Sequence, residues 1–174
     1  MHYKFSMKIY IGADHTGFEL KEKIRTYLSE LGHEVEDCGA FEYDKSDDYP
    51  DFIAKTAQSV SKDLENSLGI VIGGSGQGEA MAANKIKGIR CALFYGPALA
   101  VEAIDINGNS SDDPYEILKL TRIHNGANVL SLGVRFLTEA QAKEAVKVWL
   151  DAPFATEDRH IKRIEKIKKI EEKS

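Results

Sequence analysis

The sequence predicts an α/β fold in which helices cover both faces of a parallel sheet. Short apolar runs alternate five times with longer segments of helical periodicity, as expected when each strand is followed by a crossover helix. The apolar run LGIVIGG is uninterrupted, which is typical of a central strand buried on both faces. The chain has 174 residues and no repeat or low-complexity linker, so we expect a single domain over residues 1–174.

Two strand–helix units occupy the first half of the chain. Met7–Gly12, MKIYIG, is a predicted strand, and residues 18–32 follow with apolar side chains at helical spacing up to a closing glycine. Residues 33–39, HEVEDCG, form a weaker strand. Residues 49–64 are a predicted helix with Pro50 in its first turn, where the missing N–H costs nothing.

The second half supplies three more strands, in the segments LGIVIGG, IRCALFYG and GANVLSLG. A short helix, QGEAMAANKI, follows the first of them, and Thr138 is the expected cap of a helix over residues 138–151. From Ala155 onward a charged helix carries isoleucines spaced in threes, at Ile161, Ile164, Ile167 and Ile170. The stretch Asp105–Arg122 breaks this rhythm, because NGNSSDDP predicts a loop and PYEILKL predicts a short additional helix.

The functional site is expected beyond the carboxyl ends of the strands, where the strand order of an open parallel sheet reverses. In the expected order 2-1-3-4-5 the first and third strands are neighbours. The loops that follow them, GADHTG at residues 12–17 and GGSGQGE at residues 73–79, would then face each other.

The glycine loop fails two nucleotide-binding patterns at the same residue. Gly73 and Gly78 have the spacing of a phosphate-binding loop, but Glu79 stands where that loop needs lysine. A dinucleotide fingerprint starts at Gly74 and Gly76, but Glu79 again replaces its third glycine. A glycine-rich strand-to-helix turn without function stays open as an alternative.

A second interpretation gives a role both to the glycines of this loop and to Glu79. Glycines allow backbone N–H groups to converge on one small space and to stabilise negative charge on a reacting oxygen. A carboxylate beside that space can move a proton on the neighbouring carbon. Glu79 is therefore a candidate base for proton abstraction next to a carbonyl, with the loop holding an enediolate.

Composition narrows the class of protein further. The net charge of −5 argues against a nucleic-acid partner, and no apolar run approaches a membrane span. The first residues lack the long apolar stretch of a signal peptide. Cys38 and Cys91 are expected to be reduced, and no His/Cys/Asp set has zinc spacing. We therefore expect a cytoplasmic protein without a metal site.

Five blocks of the chain resemble the type B ribose-5-phosphate isomerases and the related galactose-6-phosphate isomerase subunits. They occur in the family's order and span most of the chain: IGADHTGFELK, DYPDFI, GIVIGGSGQGEAMAANKIKGIRCAL, HNGANVLSLGVR and RHIKRI. The resemblance implies a three-layer α/β/α Rossmann-like domain with a five-stranded parallel sheet. It also implies an aldose–ketose isomerase that needs no cofactor and works as a homodimer or tetramer with shared sites.

The resemblance also assigns roles to individual residues. Some family members carry a cysteine base where this chain has Gly73, and Glu79 matches the base of the glutamate branch. His124 and Asp14 match the pair that opens the sugar ring, and Ser75 stands with the catalytic residues. The implied contacts to substrate or its phosphate are His15, Tyr49, Gly74, Gly76, Gly78, Asn125, Arg135, Arg159 and Arg163. On a helix Arg159 and Arg163 point the same way and can hold one phosphate.

Three alternatives remain open at the level of the sequence. The substrate could be a six-carbon sugar phosphate, such as allose or galactose 6-phosphate, rather than ribose 5-phosphate. The chain could be a non-catalytic sugar-phosphate-binding relative, although such a protein would need the arginines and not Glu79. A nucleotide-binding signalling domain is disfavoured because Glu79 is negatively charged.

Two segments depart from, or extend, the implied pattern. The distance from Pro97 to His124 is longer than in the relatives, and the extra residues centre on about 105–120. We expect this insertion to form a lid or wall on the same rim as His124, with a tolerated surface loop as the alternative. The helix from about 155 to 174 is expected to dock on the partner subunit. His2, His33 and His160 are expected to be surface residues or to lie behind the site.

Overall fold

The computed structural model describes residues 6–173, so His2 lies outside the described part of the chain. The strands are β1 Lys8–Ala13, β2 Glu34–Asp37, β3 Ser67–Gly73, β4 Cys91–Phe94 and β5 Val129–Gly133. The helices are α1 Phe18–Glu30, α2 Tyr49–Ser61, α3 Gln77–Ala83, α4 Glu116–Asn125, α5 Glu139–Asp151 and α6 Asp158–Glu171. No helix within residues 6–173 combines the length and the apolar character needed to cross a membrane.

The five strands form one parallel sheet in the order β2-β1-β3-β5-β4. The predicted parallel sheet and the neighbouring positions of β1 and β3 are confirmed. The expected order 2-1-3-4-5 is wrong, because β5 pairs with β3 and β4 lies at the edge. Every residue of β5 is buried, whereas three of the four residues of β4 are half-buried, as befits an edge strand.

Two hydrophobic clusters hold the three layers together. On one face of the sheet, α1 and α5 contribute Ile24, Leu28 and Trp149 to a cluster with inward side chains of β1, β3 and β5. On the other face, α2 packs Ile53 and other side chains against α3 and the sheet. Alternate residues of β3 point to opposite faces, which explains why its sequence is apolar throughout.

The predicted helix starts are confirmed at α2 and α5. Pro50 lies in the first turn of α2. Thr138 caps α5 as half of a capping box, since its hydroxyl accepts from the Gln141 N–H at 3.2 Å and the Gln141 side chain accepts from the Thr138 N–H at 2.9 Å. These local signals fix the ends of helices whose apolar faces build the two clusters.

The irregular part of the extra segment covers residues 95–115, which we call the β4–α4 segment. Its two ends are adjacent, because the Ala98 N–H donates to the Pro114 carbonyl at 2.9 Å. The predicted short additional helix is instead α4, the ordinary crossover between β4 and β5, and residues 116–120 belong to it. Leu99, Val101 and Ile106 in the segment are exposed.

Helix α6 packs on its own chain. Gly88 N–H donates to the Glu171 carboxylate at 2.9 Å, and Ile164 lies next to Gly126 at the end of α4. Ile161, Ile167 and Ile170 are exposed. The expected contact of this helix with a partner subunit therefore stays a prediction that concerns its outer face.

Candidate active site

The loop after β1 is held by the side chain of Asp14. This carboxylate is 7% exposed and accepts the N–H groups of Thr16 and Gly17 at 3.0 and 3.1 Å. A methyl group on Gly17 would lie 2.5 Å from the carbonyl oxygen of Ile72, near the end of β3. The loops after β1 and β3 therefore face each other across the carboxyl edge of the sheet, as predicted.

The glycine loop bends sharply between β3 and α3. Gly76 adopts a left-handed conformation, with φ of 74°, and its carbonyl accepts from the Ser131 hydroxyl at 2.6 Å. The Arg135 N–H donates to the Gly74 carbonyl at 3.1 Å. A methyl group on Gly78 would lie 2.8 Å from the Tyr49 hydroxyl. These contacts gather Tyr49, the loop glycines and Arg135 around one space.

Glu79 is buried at the centre of this arrangement, with 4% of its surface exposed. Its carboxylate fills the space over Gly73, so that a side chain on Gly73 would collide with it. Burial raises the pKa of Glu79, and the nearby charge of Asp14 raises it further, while Arg135 and backbone N–H groups lower it. A carboxylate with a raised pKa is suited to accept and return a proton.

His15 is bound to an acidic residue that the sequence prediction missed. Asp47 Oδ1 lies 2.6 Å from His15 Nδ1 and also accepts the His15 N–H at 3.0 Å. This hydrogen bond is the main cause that raises the pKa of His15, with smaller contributions from the charges of Asp14 and Asp44. Asp47 stands in a polar loop without periodicity, so no local pattern points to it.

Asp14, His15 and Asp47 have ligand atoms within 4.8 Å of one another, which is a grouping that could hold a metal ion. The His15–Asp47 hydrogen bond accounts for the contact between two of the three side chains. A metal ion at this place would compete with that hydrogen bond for His15 Nδ1 and for the Asp47 carboxylate.

The remaining predicted residues lie at the other end of the sheet. His124 and Asn125 are in the last turn of α4, just before β5 begins, whereas Arg135 follows the end of β5. The five residues of β5 place its two ends about 16 Å apart. His124 is therefore in a helix at the amino edge and not beyond the carboxyl ends of the strands, where the functional site is expected.

A second cluster forms around His124 at this amino edge. The rings of His124 and His160 stack with centroids 4.2 Å apart and planes inclined by 13°. Arg159 precedes His160 in the first turn of α6 and donates to the Glu157 carboxylate at 2.8 Å, while Arg163 is exposed one turn further on. His160 is only 2% exposed, so of the two expected positions, at the surface or behind the site, the structure has the second.

The fold thus carries two clusters that contain the predicted site residues. The carboxyl-edge cluster holds Asp14, His15, Tyr49, the loop from Gly73 to Glu79 with Ser75, and Arg135. The amino-edge cluster holds His124, Asn125, Arg159, His160 and Arg163. Fold and site together define an α/β protein that holds a buried carboxylate and a glycine loop beyond the carboxyl ends of its parallel strands.

Comparison with known proteins identifies the family. A family model described as Ribose/Galactose Isomerase matches residues 9–110 and 113–167, with its break inside the β4–α4 segment. The chain belongs to this family.

Several of the similar proteins are named ribose-5-phosphate isomerase B. Ribose-5-phosphate isomerase B of Mycolicibacterium paratuberculosis is 41% identical over 159 residues, which cover 91% of this chain and 88% of the relative. Among solved structures, ribose-5-phosphate isomerase B of Mycoplasma genitalium with bound ribulose-5-phosphate gives a TM-score of 0.82 at 36% identity, covering 96% of this chain and 97% of the other. Ribose-5-phosphate isomerase B of Clostridium thermocellum gives 0.81 at 38% identity, covering 96% and 99%.

Proposed function

We propose that this protein is an aldose–ketose isomerase that interconverts ribose 5-phosphate and ribulose 5-phosphate through an enediolate. The observation that carries the proposal is the buried Glu79 carboxylate, which lies over Gly73 at the junction of the two strand-end loops. Relatives that share 41% identity are named for this activity, and one solved relative holds ribulose-5-phosphate.

Glu79 moves the proton between the two carbons of the reacting sugar. It takes a proton from C2 of the open-chain aldose, and the electrons pass to the carbonyl oxygen at C1. The backbone N–H groups of the loop at Gly74, Gly76 and Gly78 stabilise this oxygen, with Ser75 beside them. Glu79 then returns the proton to C1, while the hydroxyl proton at C2 passes to the oxygen on C1 and C2 becomes the ketone carbonyl. Its raised pKa suits both halves of this transfer.

The other steps need residues of both clusters. Asp14 and His124 exchange protons with the ring oxygen and the anomeric hydroxyl when the furanose opens. His15, Arg135, Arg159 and Arg163 bind the phosphate, and Asn125 and Tyr49 contact the sugar. Because the two clusters lie at opposite edges of one sheet, we propose that each site combines the carboxyl-edge cluster of one chain with the amino-edge cluster of a second chain.

The chemistry consists of proton transfers only, so the proposal includes no cofactor and no metal. Reduced cysteines fit a cytoplasmic enzyme, and Cys38 and Cys91 are both free. A six-carbon sugar phosphate is the second candidate substrate, because the β4–α4 segment begins next to Arg135, where Tyr95 contacts Phe136.

The test is Glu79→Gln, with Glu65→Gln as a control at an exposed position. The amide keeps the shape of Glu79 but cannot accept the proton. We expect the turnover of ribose 5-phosphate to fall by at least about 10³-fold, with substrate binding and melting temperature preserved. Glu65→Gln should match the parent. A Glu79→Gln enzyme that retains most of its activity would remove the base from this proposal.

A further inference from the structure

In the stacked pair of His124 and His160, the imidazole of His160 is buried in an unusual way. His160 is 2% exposed, yet neither of its ring nitrogens has a hydrogen-bond partner within the described residues. The nearest acidic group, the Glu157 carboxylate, lies 3.6 Å from Nε2. The contact that the ring does make is the stack on His124, at 4.2 Å and 13°. The burial of this imidazole is therefore tied to the position of a residue of the proposed site.

The dipoles of α4 and α6 have opposite effects on a positive charge at the two rings. His160 is in the first turn of α6, where the helix dipole disfavours a positive charge, and His124 is in the last turn of α4, where it favours one. Burial and the charges of His124, Arg159 and Arg163 lower the pKa of His160, against a small opposite effect of Glu157. The surroundings of His160 therefore disfavour a positive charge on this ring.

Hydrogen bonds from Arg90 hold the backbone at the C-terminal end of α4, next to His124. The Arg90 guanidinium donates from Nε to the carbonyl of Gly126 at 2.9 Å and to that of Asn125 at 3.1 Å. Gly126 ends α4 in a left-handed conformation, with φ of 57°. With its backbone fixed, His124 keeps freedom mainly in its side-chain torsions, and the flat face of His160 restricts these torsions.

We propose that His160 is a positioning residue for His124: its buried ring is the platform that holds the His124 imidazole in the orientation required for opening the sugar ring. The inference rests on the proposed function, in which His124 exchanges the ring-opening proton. His160 acts through the contact of two ring faces and donates no proton itself. A misplaced acid–base group loses rate because the reacting atoms no longer align.

The test compares two replacements of similar size at this position. His160→Phe keeps a flat ring without nitrogens, and His160→Leu fills space without offering a flat face. We expect His160→Leu to lower kcat for ribose 5-phosphate about tenfold with KM within about twofold of the parent, and His160→Phe to keep most of kcat. Lys166→Ala, at an exposed position of the same helix, is the control. Melting temperature and molecular mass in solution are measured for each variant.

A double-mutant cycle tests whether His160 works through its neighbour. His124→Ala with His160→Leu should be no slower than His124→Ala alone, because the platform has nothing left to orient. Additive losses would overturn the proposal, and so would full activity of His160→Leu. If His160→Phe is as slow as His160→Leu, the nitrogens matter and the platform role is wrong.

The same set of variants distinguishes a failure of this inference from a failure of the proposed function. If Glu79→Gln and His124→Ala are slow but His160→Leu is not, only the positioning role fails. If His124→Ala is as fast as the parent, the ring-opening role of His124 fails and this inference falls with it. If the parent does not isomerise ribose 5-phosphate, the proposed function itself is wrong.

Discussion

Gly73 and Glu79 share one volume at the end of β3, and only one of them can carry a side chain there. A Cβ atom on Gly73 would overlap the Glu79 carboxylate. A base on the strand end and a base on the first turn of α3 would therefore reach the same space from two directions. This overlap gives a steric reason why the cysteine expected in some relatives is replaced by glycine in this chain.

The overlap predicts how a base could be moved within this site. Gly73→Cys alone should lose at least about tenfold in turnover, because the new side chain displaces Glu79. Gly73→Cys combined with Glu79→Ala should exceed Glu79→Ala in activity, since the thiolate can then occupy the vacated space. Steady-state turnover of ribose 5-phosphate compares the three variants.

Iodoacetamide supplies the control for this exchange. Burial raises the pKa of both native thiols, Cys38 and Cys91, so they form thiolate poorly. The double variant should lose its activity on alkylation, and the parent should keep it. Equal sensitivity of the parent and the double variant would contradict the proposed transfer of the base.

If His15 binds the substrate phosphate as proposed, the His15–Asp47 pair predicts that this binding depends on pH. Asp47 raises the pKa of His15, so His15 stays positively charged to a higher pH than an isolated histidine. Asp47→Asn removes most of this effect and lowers the pKa of His15. As the pH rises, we expect the KM for ribose 5-phosphate to increase at a lower pH in Asp47→Asn than in the parent. The two KM values should be most similar at acidic pH.

The control for this prediction is Asp44→Asn. Asp44 also carries a negative charge near His15, but its carboxylate hydrogen-bonds to Ser46. This variant should therefore follow the parent's dependence of KM on pH. If Asp47→Asn follows it as well, Asp47 has no part in keeping His15 protonated.

At the scale of elements, local patterns predicted what each segment forms but not the order of two strands. The apolar runs at β4 and β5 are similar, and both follow turns and precede helices. Which of them pairs with β3 depends on how side chains pack on both faces of the sheet. That information is not contained in the periodicity of either run, so the sequence could not decide it.

The position of His124 could have been predicted from a helix-ending signal. Gly126 terminates α4 as its left-handed C-cap, with the Gly126 N–H on Arg122 O and the Ala127 N–H on Thr121 O. A glycine after a run of helix-forming residues indicates such an end, which places His124 in a helix before β5. The helical spacing of His160 and Ile164 likewise indicates that His160 faces inward. No comparable signal marks Asp47.

The β4–α4 segment is predicted to tune which sugar phosphate fits or to strengthen contact between subunits. It starts beyond the carboxyl end of β4, where Tyr95 contacts Phe136 next to Arg135. Helix α4 follows the segment and carries His124 in its last turn, at the opposite edge of the sheet. The segment therefore grows from the carboxyl edge, and the expectation that it grows from the rim of His124 is wrong.

A shortened variant tests this prediction. Residues 99–111 are replaced by a short glycine-serine turn, which is feasible because Ala98 and Pro114 are already joined by a hydrogen bond. Asp113 and Glu116 are kept, since the Asp113 carbonyl accepts the Glu116 N–H at the start of α4. We expect a changed ranking of kcat/KM between five- and six-carbon sugar phosphates, or weaker subunit association. If both match the parent, the segment is a tolerated surface loop.

At the scale of the whole molecule, the two separated clusters predict that inactive chains can rescue each other. In a mixed dimer of Glu79→Gln and Arg159→Ala chains, one site carries both changes and the other carries neither. After random exchange of subunits, half of the dimers are mixed, so about one quarter of the parent's sites are restored. The measurement is activity at low substrate concentration before and after exchange, with each variant alone as control.

A confirmed mixed dimer without recovered activity would mean that each site is built within one chain. Then His124 and Arg159 would have no role in the same site as Glu79, given their places at opposite ends of β5.

The placement of the two clusters at opposite ends of β5 also predicts that activity depends on the concentration of the protein. If each site is shared between two chains as proposed, an isolated chain holds both clusters but cannot bring them to one substrate, and the smallest catalytic unit is a dimer. Turnover per chain should then be constant in concentrated solution and should decline on dilution, approaching a square-law dependence of rate on protein concentration. A cell that makes little of this protein would lose the reaction more steeply than it loses the polypeptide.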